Sequence, residues 1–221
     1  MTVTLERAIV SLTFDDGLAC QRDALALLER HNLKGTFYVG TGFIGRAGNR
    51  LTWDDLERAR DDGHEIGGHT ITHQHLPELS ARKAEKEISR DRRDLNDRGF
   101  EATTFAYPYG EHDPRLQAMV RDAGYAAARG VGGIAESVPP ENLFALRTPH
   151  SARSWTGTDD LAAFVRVAEH EKAWLMLVFH HFCSGEESDY NTPPPVFGAF
   201  LEWLVTRDVD VLRVSDVIAM Q

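Results

Sequence analysis

The chain has 221 residues, 42% of them hydrophobic, which suits one core and predicts a single domain over residues 1–221. The formal net charge of −10 argues against a nucleic acid or an anionic membrane as a partner. No run is apolar and long enough to span a bilayer, and no basic start leads into an apolar secretory segment. We therefore expect a cytoplasmic protein as the chain is given, with a trimmed secreted form as the alternative. No pattern indicates an oligomeric state.

Strand and helix patterns alternate along the chain. Strands are predicted at 7–14, 35–40, 64–67, 103–106, 125–128, 173–182 and 209–214, and helices at 21–31, 52–63, 80–98, 113–123, 158–171 and 193–206, with a short helix after Ser215. Thr52 and Asp55 form a loose capping box. The segment 129–147 predicts loops with one short strand. Seven strands separated by helices predict a parallel α/β sheet or barrel, in which chemistry gathers where strands end.

Two adjacent carboxylates, Asp15 and Asp16, follow the first apolar run and precede a glycine. Adjacent carboxylates repel, so burying both requires a compensating cation, although Asp-Gly is also a common turn pair. His69 and His73 lie four residues apart, a spacing that suits either a metal site or a polar, histidine-rich loop. Taken together, the carboxylates and imidazoles favour a metal site with a free base beside it.

Two further motifs lie at predicted strand ends. The turn 107–110, with sequence YPYG, is made rigid by Pro108 and could present backbone N–H groups such as that of Tyr109 to a substrate oxygen, or be an ordinary strand exit. The strand 173–182 contains His180 and His181, whose side chains face opposite ways. Both faces are apolar, so the periodicity does not decide which histidine faces a central site. The two cysteines, Cys20 and Cys183, are far apart in sequence and predict no disulfide framework.

The motifs TFDDG, HTITH and FAYPYG, followed by an apolar strand that ends in histidine, resemble the polysaccharide deacetylase family (NodB-homology domain, carbohydrate esterase family 4). The resemblance covers residues 7–214. It implies a distorted (β/α) barrel of about seven parallel strands. It also implies the metal-dependent hydrolysis of N-acetyl, sometimes O-acetyl, groups on a carbohydrate.

Residue roles follow from the same resemblance. Asp15 corresponds to the general base and His180 to the general acid, with His181 as the alternative acid. Asp16, His69 and His73 correspond to the metal ligands, and the Tyr109 N–H to the group that holds the oxyanion. The ion expected at this site is Zn²⁺, with Co²⁺ or another divalent ion as alternatives.

The chain departs from the family pattern at two places. An arginine usually precedes the Pro-Tyr-Gly turn and steadies the catalytic aspartate, but Ala106-Tyr107 stands there. We expect Arg147 to supply that guanidinium to Asp15. The family's Asp-Trp pair has no clear counterpart, and Trp155 is the candidate for the aromatic wall.

Two other functions remain open at this level. Related barrels hydrolyse other non-peptide C–N bonds, in small amides, formamides or ureides. A relative that binds carbohydrate without turning it over would also keep the fold.

Overall fold

The computed structural model describes residues 5–46, 48–183 and 188–220. The predicted domain also includes residues 1–4, 47, 184–187 and 221, which lie outside the described residues. The strands are β1 (Ala8–Asp15), β2 (Thr36–Val39), β3 (Glu65–Gly68), β4 (Thr104–Ala106), β5 (Ala127–Arg129), β6 (Trp174–Phe179) and β7 (Val209–Val211). The helices are α1 (Gln21–Arg30), α2 (Trp53–Asp61), α3 (Ala81–Asn96), α4 (Pro114–Asp122), α5 (Thr158–Glu171), α6 (Pro194–Leu204) and α7 (Val214–Ala219).

The seven strands form one sheet in the order β5-β4-β3-β2-β1-β6, with β7 also paired to β1. Every pairing between these strands is parallel, and helices connect the strands, so the predicted α/β architecture is confirmed. β1 pairs with three other strands. Its first residues pair with β7 and its last residues with β2, while β6 runs along its other side.

The two faces of the curled sheet bury different sets of side chains. Val10, Leu12 and Phe14 of β1 belong to the large cluster under the helices. Ile9 of β1 packs in a smaller cluster with Trp174 of β6 and with α7. Because side chains alternate along a strand, Ile9, like Asp15, faces the inside of the curl.

Helix starts follow local sequence rules. The Thr52 hydroxyl accepts from the Asp55 N–H, and the Asp55 carboxylate accepts from the Thr52 N–H, so the predicted capping box is present. The Asp113 carboxylate likewise accepts from the Leu116 N–H, 2.8 Å away, ahead of Pro114 at the first helical position.

Several predicted boundaries differ from the structure, and three of the differences concern β5, β6 and the segment between them. β5 begins and ends later than predicted, so Arg129 is its last residue. β6 ends at Phe179, so His180 and His181 follow the strand. The short strand expected within 129–147 is replaced by isolated bridges, one joining Arg129 to Leu146 and one joining Glu136 to Trp174. These bridges lie between the outer strands β5 and β6 and continue the curl of the sheet.

No helix in the described part of the chain is both long and apolar enough to cross a membrane.

Candidate functional site

Chemically active side chains gather where strands end. Asp15 is the last residue of β1, Arg129 the last of β5, and His69 and His180 follow β3 and β6 directly. Parallel strands bring their carboxyl ends to one edge, so these residues share a cavity of about 330 Å³. The predicted site residues that line it are Asp15, Asp16, His69, His73, Tyr109, His180 and His181.

Asp16, His69 and His73 form a compact donor group. The Asp16 Oδ1 lies 3.6 Å from the His69 Nε2 and 3.3 Å from the His73 Nε2. One donor atom from each residue lies within 4.8 Å of the others. The turns are tight: Asp16 and His73 have positive φ angles of 75° and 52°, a conformation that aspartate tolerates better than most residues.

Backbone contacts hold His69 in the form that a metal requires. Its Nδ1–H donates to the Ala106 carbonyl across 2.7 Å, which leaves the Nε2 lone pair facing Asp16. Its backbone N–H donates to the buried Asp91 carboxylate, 3.0 Å away. Burial lowers the pKa of His69 to about 4 against the opposing field of Asp15, so the imidazole is neutral near pH 7. The donor set of one carboxylate and two imidazoles therefore fits a divalent ion.

Asp15 lies beside this group and contacts two cationic or potentially cationic side chains. The Arg129 Nη2 donates to the Asp15 Oδ1, and the His180 Nε2 lies 3.8 Å from the Asp15 Oδ2. Burial favours the neutral carboxyl, but Arg129, His69 and His180 outweigh it and lower the pKa of Asp15 below its ordinary value. Asp15 is thus a buried, ionised carboxylate, the form in which a carboxyl group can accept a proton.

The prediction that Arg147 supplies this guanidinium is wrong. Arg147 donates from its Nε and Nη2 to the carboxylate of Glu136, at 3.0 and 3.2 Å. Glu136 is buried and needs that partner, because an isolated buried carboxylate is costly. Arg129 instead reaches Asp15 from β5, with its guanidinium 4.8 Å from the ring centroid of Tyr38.

His180 lies beside Asp15, because β1 and β6 pair up to Phe14 and Phe179 and the two residues follow that pair. The Gln21 side-chain amide donates to the backbone carbonyls of both Asp15 and His180, which ties the two segments together. Burial lowers the pKa of His180, and the fields of Asp15 and Asp16 oppose that shift. Within the described residues its Nδ1 is buried without a hydrogen-bond partner.

The remaining predicted residues differ in their access to the cavity. Tyr109 has a φ of 59° and lines the cavity, with its ring stacked on His75 at a centroid distance of 3.8 Å. Pro108 is buried in the same turn and is not among the lining residues. Trp155 is 69% exposed and also does not line the cavity, so it forms no wall there.

Tyr190 and Arg153 form an aromatic and cationic wall that the sequence did not suggest. The Arg153 guanidinium lies 4.0 Å from the ring centroid of Tyr190, and Tyr190 lies 5.2 Å from the ring of His180. Neither belongs to a motif, and only the fold brings them to the cavity. Arg129 was missed because its strand was predicted to end one residue too early.

An ionised carboxylate, an imidazole and a three-residue donor group at the strand ends of a curled parallel sheet define a class of metal-dependent α/β proteins. Residues 2–128 match the sequence profile described as polysaccharide deacetylase. Because the match covers more than half of the chain, the protein belongs to the polysaccharide deacetylase family.

A curated relative is the peptidoglycan-N-acetylglucosamine deacetylase PgdA of Listeria monocytogenes, which is 32% identical over 105 residues. The aligned part is 46% of this chain and 21% of that relative, so the chain spans about a fifth of its length.

Two solved structures share the fold over nearly the whole chain. The peptidoglycan deacetylase PdaC from Bacillus subtilis superposes with a TM-score of 0.67 and 18% identity, covering 98% of this chain and 93% of PdaC. A family 4 acetyl xylan esterase from Clostridium thermocellum, in complex with a cobalt ion, gives a TM-score of 0.63 and 21% identity, covering 96% and 91% of the two chains. At these identities the likeness shows the fold alone.

Proposed function

We propose that the protein is a metal-dependent hydrolase that removes acetyl groups from a carbohydrate. The observation that carries the proposal is the pairing of Asp15 with His180 directly beside the donor group Asp16, His69 and His73. A general base, a general acid and a metal site in one cavity are the set of groups that amide hydrolysis by activated water requires.

The proposed ligands are Asp16, His69 and His73, and the proposed ion is Zn²⁺, with Co²⁺ as the second candidate. A divalent ion held there would lower the pKa of a bound water and polarise the acetyl carbonyl. The neutral form of His69 and its fixed ring orientation support this assignment.

The proposed chemistry divides proton transfer between two residues. Asp15 accepts a proton from the attacking water, and Arg129 holds that carboxylate in place and ionised. His180, as an imidazolium, donates a proton to the leaving nitrogen, without which the tetrahedral intermediate would collapse back to substrate. The Tyr109 N–H donates to the developing oxyanion from the tight turn 107–110.

The substrate is proposed from the relatives and from the cavity. PgdA is named for an N-acetyl sugar of peptidoglycan, and the Clostridium enzyme for acetyl groups on xylan. The net charge of −10 favours a neutral or cationic glycan over a strongly anionic one. We propose N-acetyl groups as the primary target and O-acetyl groups as the secondary one.

We also propose that residues 1–221 form one catalytic domain. The first strand, β1, pairs with the last strand, β7, and with β6, which supports a single unit.

The deciding experiment measures acetate release together with metal content. The substrates are N-acetylglucosamine oligomers, peptidoglycan, acetylated xylan, and a panel of small amides, formamides and ureides. Asp16→Ala and His69→Ala should lose bound metal and acetate release together, because each removes one of three protein ligands. Hydrolysis confined to the small-amide panel, or normal metal content in both variants, would contradict the proposal.

A further inference from the structure

A second group of metal-ligating side chains consists of Cys20, His181 and Cys183, of which His181 lines the same cavity. Cys20 precedes α1, and His181 and Cys183 follow β6. One ligand atom from each residue lies within 4.8 Å of the others, as close a limit as in the Asp16 group. All three side chains are partly buried, and neither cysteine is in a disulfide. Residues 163 positions apart in sequence are thus brought together by the pairing of β1 with β6.

Hydrogen bonds to the backbone position the three residues. The Phe182 N–H donates to the Cys20 Sγ, 3.3 Å away. The side chain of Asn191 exchanges two hydrogen bonds with the backbone of Cys183, at 3.0 and 2.9 Å. The Thr192 N–H donates to the His181 carbonyl across 2.9 Å. The arrangement is therefore part of the packed loop structure.

The chemistry of these donors differs from that of the Asp16 group. Two thiols and one imidazole are soft and borderline ligands, which favour Zn²⁺ or Cu⁺ over the hard oxygen-preferring cations. With bonds of roughly 2.0–2.3 Å, a tetrahedral ion needs ligand atoms about 3.5–3.8 Å apart. Because the three ligand atoms lie within 4.8 Å of one another, they would have to approach by about 1.3 Å at most, which small rotations of the partly buried side chains can supply.

We propose that Cys20, His181 and Cys183 form a second, thiolate-rich metal site that takes Zn²⁺ or another thiophilic ion. On binding, the two thiols release their protons to solvent and bond to the ion as thiolates, with no change in oxidation state. The site is separate from Asp16, His69 and His73, and the proposal does not depend on the proposed deacetylase activity.

Such an ion would act as a cross-link next to the reaction site. Cys20 lies shortly after Asp15 and Asp16, and His181 follows His180, so the ion would join the loops that carry the proposed base and acid. The role of His181 would then be to bind this ion and not to transfer protons.

Cobalt spectroscopy distinguishes the two sites, because only thiolate ligands produce an intense near-ultraviolet charge-transfer band with Co²⁺. The chain contains two cysteines, so the band in a monomer can come only from Cys20 and Cys183. Anaerobic, fully reduced protein is titrated with Co²⁺, with gel filtration to exclude thiolates shared between molecules. The wild type should bind a second equivalent of Co²⁺ with this band, and added Zn²⁺ should remove the band.

Three variants complete the test. Asp16→Asn, the matched control at the other site, should keep the full band while it binds one equivalent fewer. Cys20→Ser and Cys183→Ser should each reduce the band to background, with circular dichroism showing retained structure. Absence of the band in both the reduced wild type and Asp16→Asn would overturn the proposal, whatever the cysteine variants do.

Discussion

Asp15 is buried at the end of β1, where Arg129 and His180 contact its two carboxylate oxygens from opposite sides. Because Asp15 is buried, these two groups stabilise its negative charge in place of water. Asp16, the next residue, turns away through a positive φ of 75° and points at the two metal-site histidines. One change of backbone direction thus gives two adjacent carboxylates different neighbours and different proposed roles.

Asp15→Asn should retain the metal and lose at least about 10²-fold in turnover, because an amide cannot accept a proton from water. The matched variant Asp16→Asn should lose metal content as well as turnover. Acetate release and metal analysis on the same preparations make the comparison. Near-normal turnover of Asp15→Asn with its metal intact would assign Asp15 a structural role only.

Variants of Arg129 and Arg147 should affect different properties: turnover for Arg129 and the free energy of unfolding for Arg147. Arg129→Gln should lower turnover by about 10-fold or more, because Asp15 loses the cation that orients it, and Arg129→Lys should recover part of the loss. Arg147→Gln should keep turnover near the wild-type value but lower the free energy of unfolding, since it leaves the buried Glu136 without its ion pair. Equal turnover in the two glutamine variants would remove the role given to Arg129.

His180 and His181 are compared by their pH profiles at equal metal occupancy. His180→Ala should depress turnover and flatten the alkaline limb, because no imidazolium remains to lose its proton. Burial lowers the pKa of His180. In the wild type, turnover should therefore begin to fall on the alkaline side at a lower pH than it would if the acid were an exposed histidine. If His181→Ala instead flattens the alkaline limb, the acid is assigned wrongly by one residue.

The metal donors could be predicted from the sequence because each lies within a few residues of a strand end in a local motif. Arg129 could not, because its partner Asp15 is 114 residues away and only the curl of the sheet brings β5 opposite β1. Arg147 also lies near a predicted strand end, so the local sequence does not distinguish it from Arg129. Arg147 forms an ion pair with Glu136. Glu136 is buried, but no motif in the surrounding sequence predicts its burial.

At the scale of elements, apolar periodicity located every strand and helix core, while strand ends were off by a few residues. The predicted strand 173–182 continued through His180 and His181 because apolar Phe182 follows them. In the structure, residues 181 and 192 pair through their backbones, so this part of the chain joins a loop instead of β6. The alternation of side chains between the two faces of a strand therefore does not apply to His180 and His181, which lie beyond the end of β6.

His64, between α2 and β3, should make stability depend on pH. Burial, with Lys34 adding to it, lowers its pKa to about 4 from an ordinary value near 6.5, and its neutral Nδ1 accepts from the Gly35 N–H. Between pH 6.5 and 4 the unfolded chain binds the extra proton, so stability is present above this window and is lost as the pH falls through it.

The variant His64→Asn keeps an acceptor for Gly35 but cannot titrate. Its free energy of unfolding should therefore fall less than that of the wild type between these pH values, by on the order of 2 kcal/mol. Urea unfolding at several pH values measures the difference. Parallel pH dependence of the two proteins would show that His64 titrates normally in the folded state.

At the scale of the molecule, α7 closes the end of the curl opposite the candidate site. Its buried Val214 and Val217 pack with Ile9 and Trp174 inside the sheet. The N–H groups of Val214 and Ser215 donate to Thr36 and Glu65 at the starts of two strands. The last helix thus completes the small inner core.

Val217→Ala should lower the free energy of unfolding by about 2 kcal/mol, because it leaves a cavity in that inner core. Val205→Ala removes the same atoms from a side chain that is 48% exposed and should change stability by less than about 0.5 kcal/mol. Urea unfolding of both variants is the measurement. Equal losses would mean that α7 contributes little to the packing.

The pairing of β1 with β6 has a consequence for synthesis of the protein. β1 leaves the ribosome before the other strands of this sheet, yet the Thr13 hydroxyl donates to the carbonyl of Leu177, which is 164 residues later. At roughly 5–20 residues per second, β1 waits about 10–30 s for its neighbour β6. During that time one edge of this apolar strand has unpaired backbone groups open to other nascent chains, so we expect the yield of folded protein to depend on chaperones that cover β1 and β2.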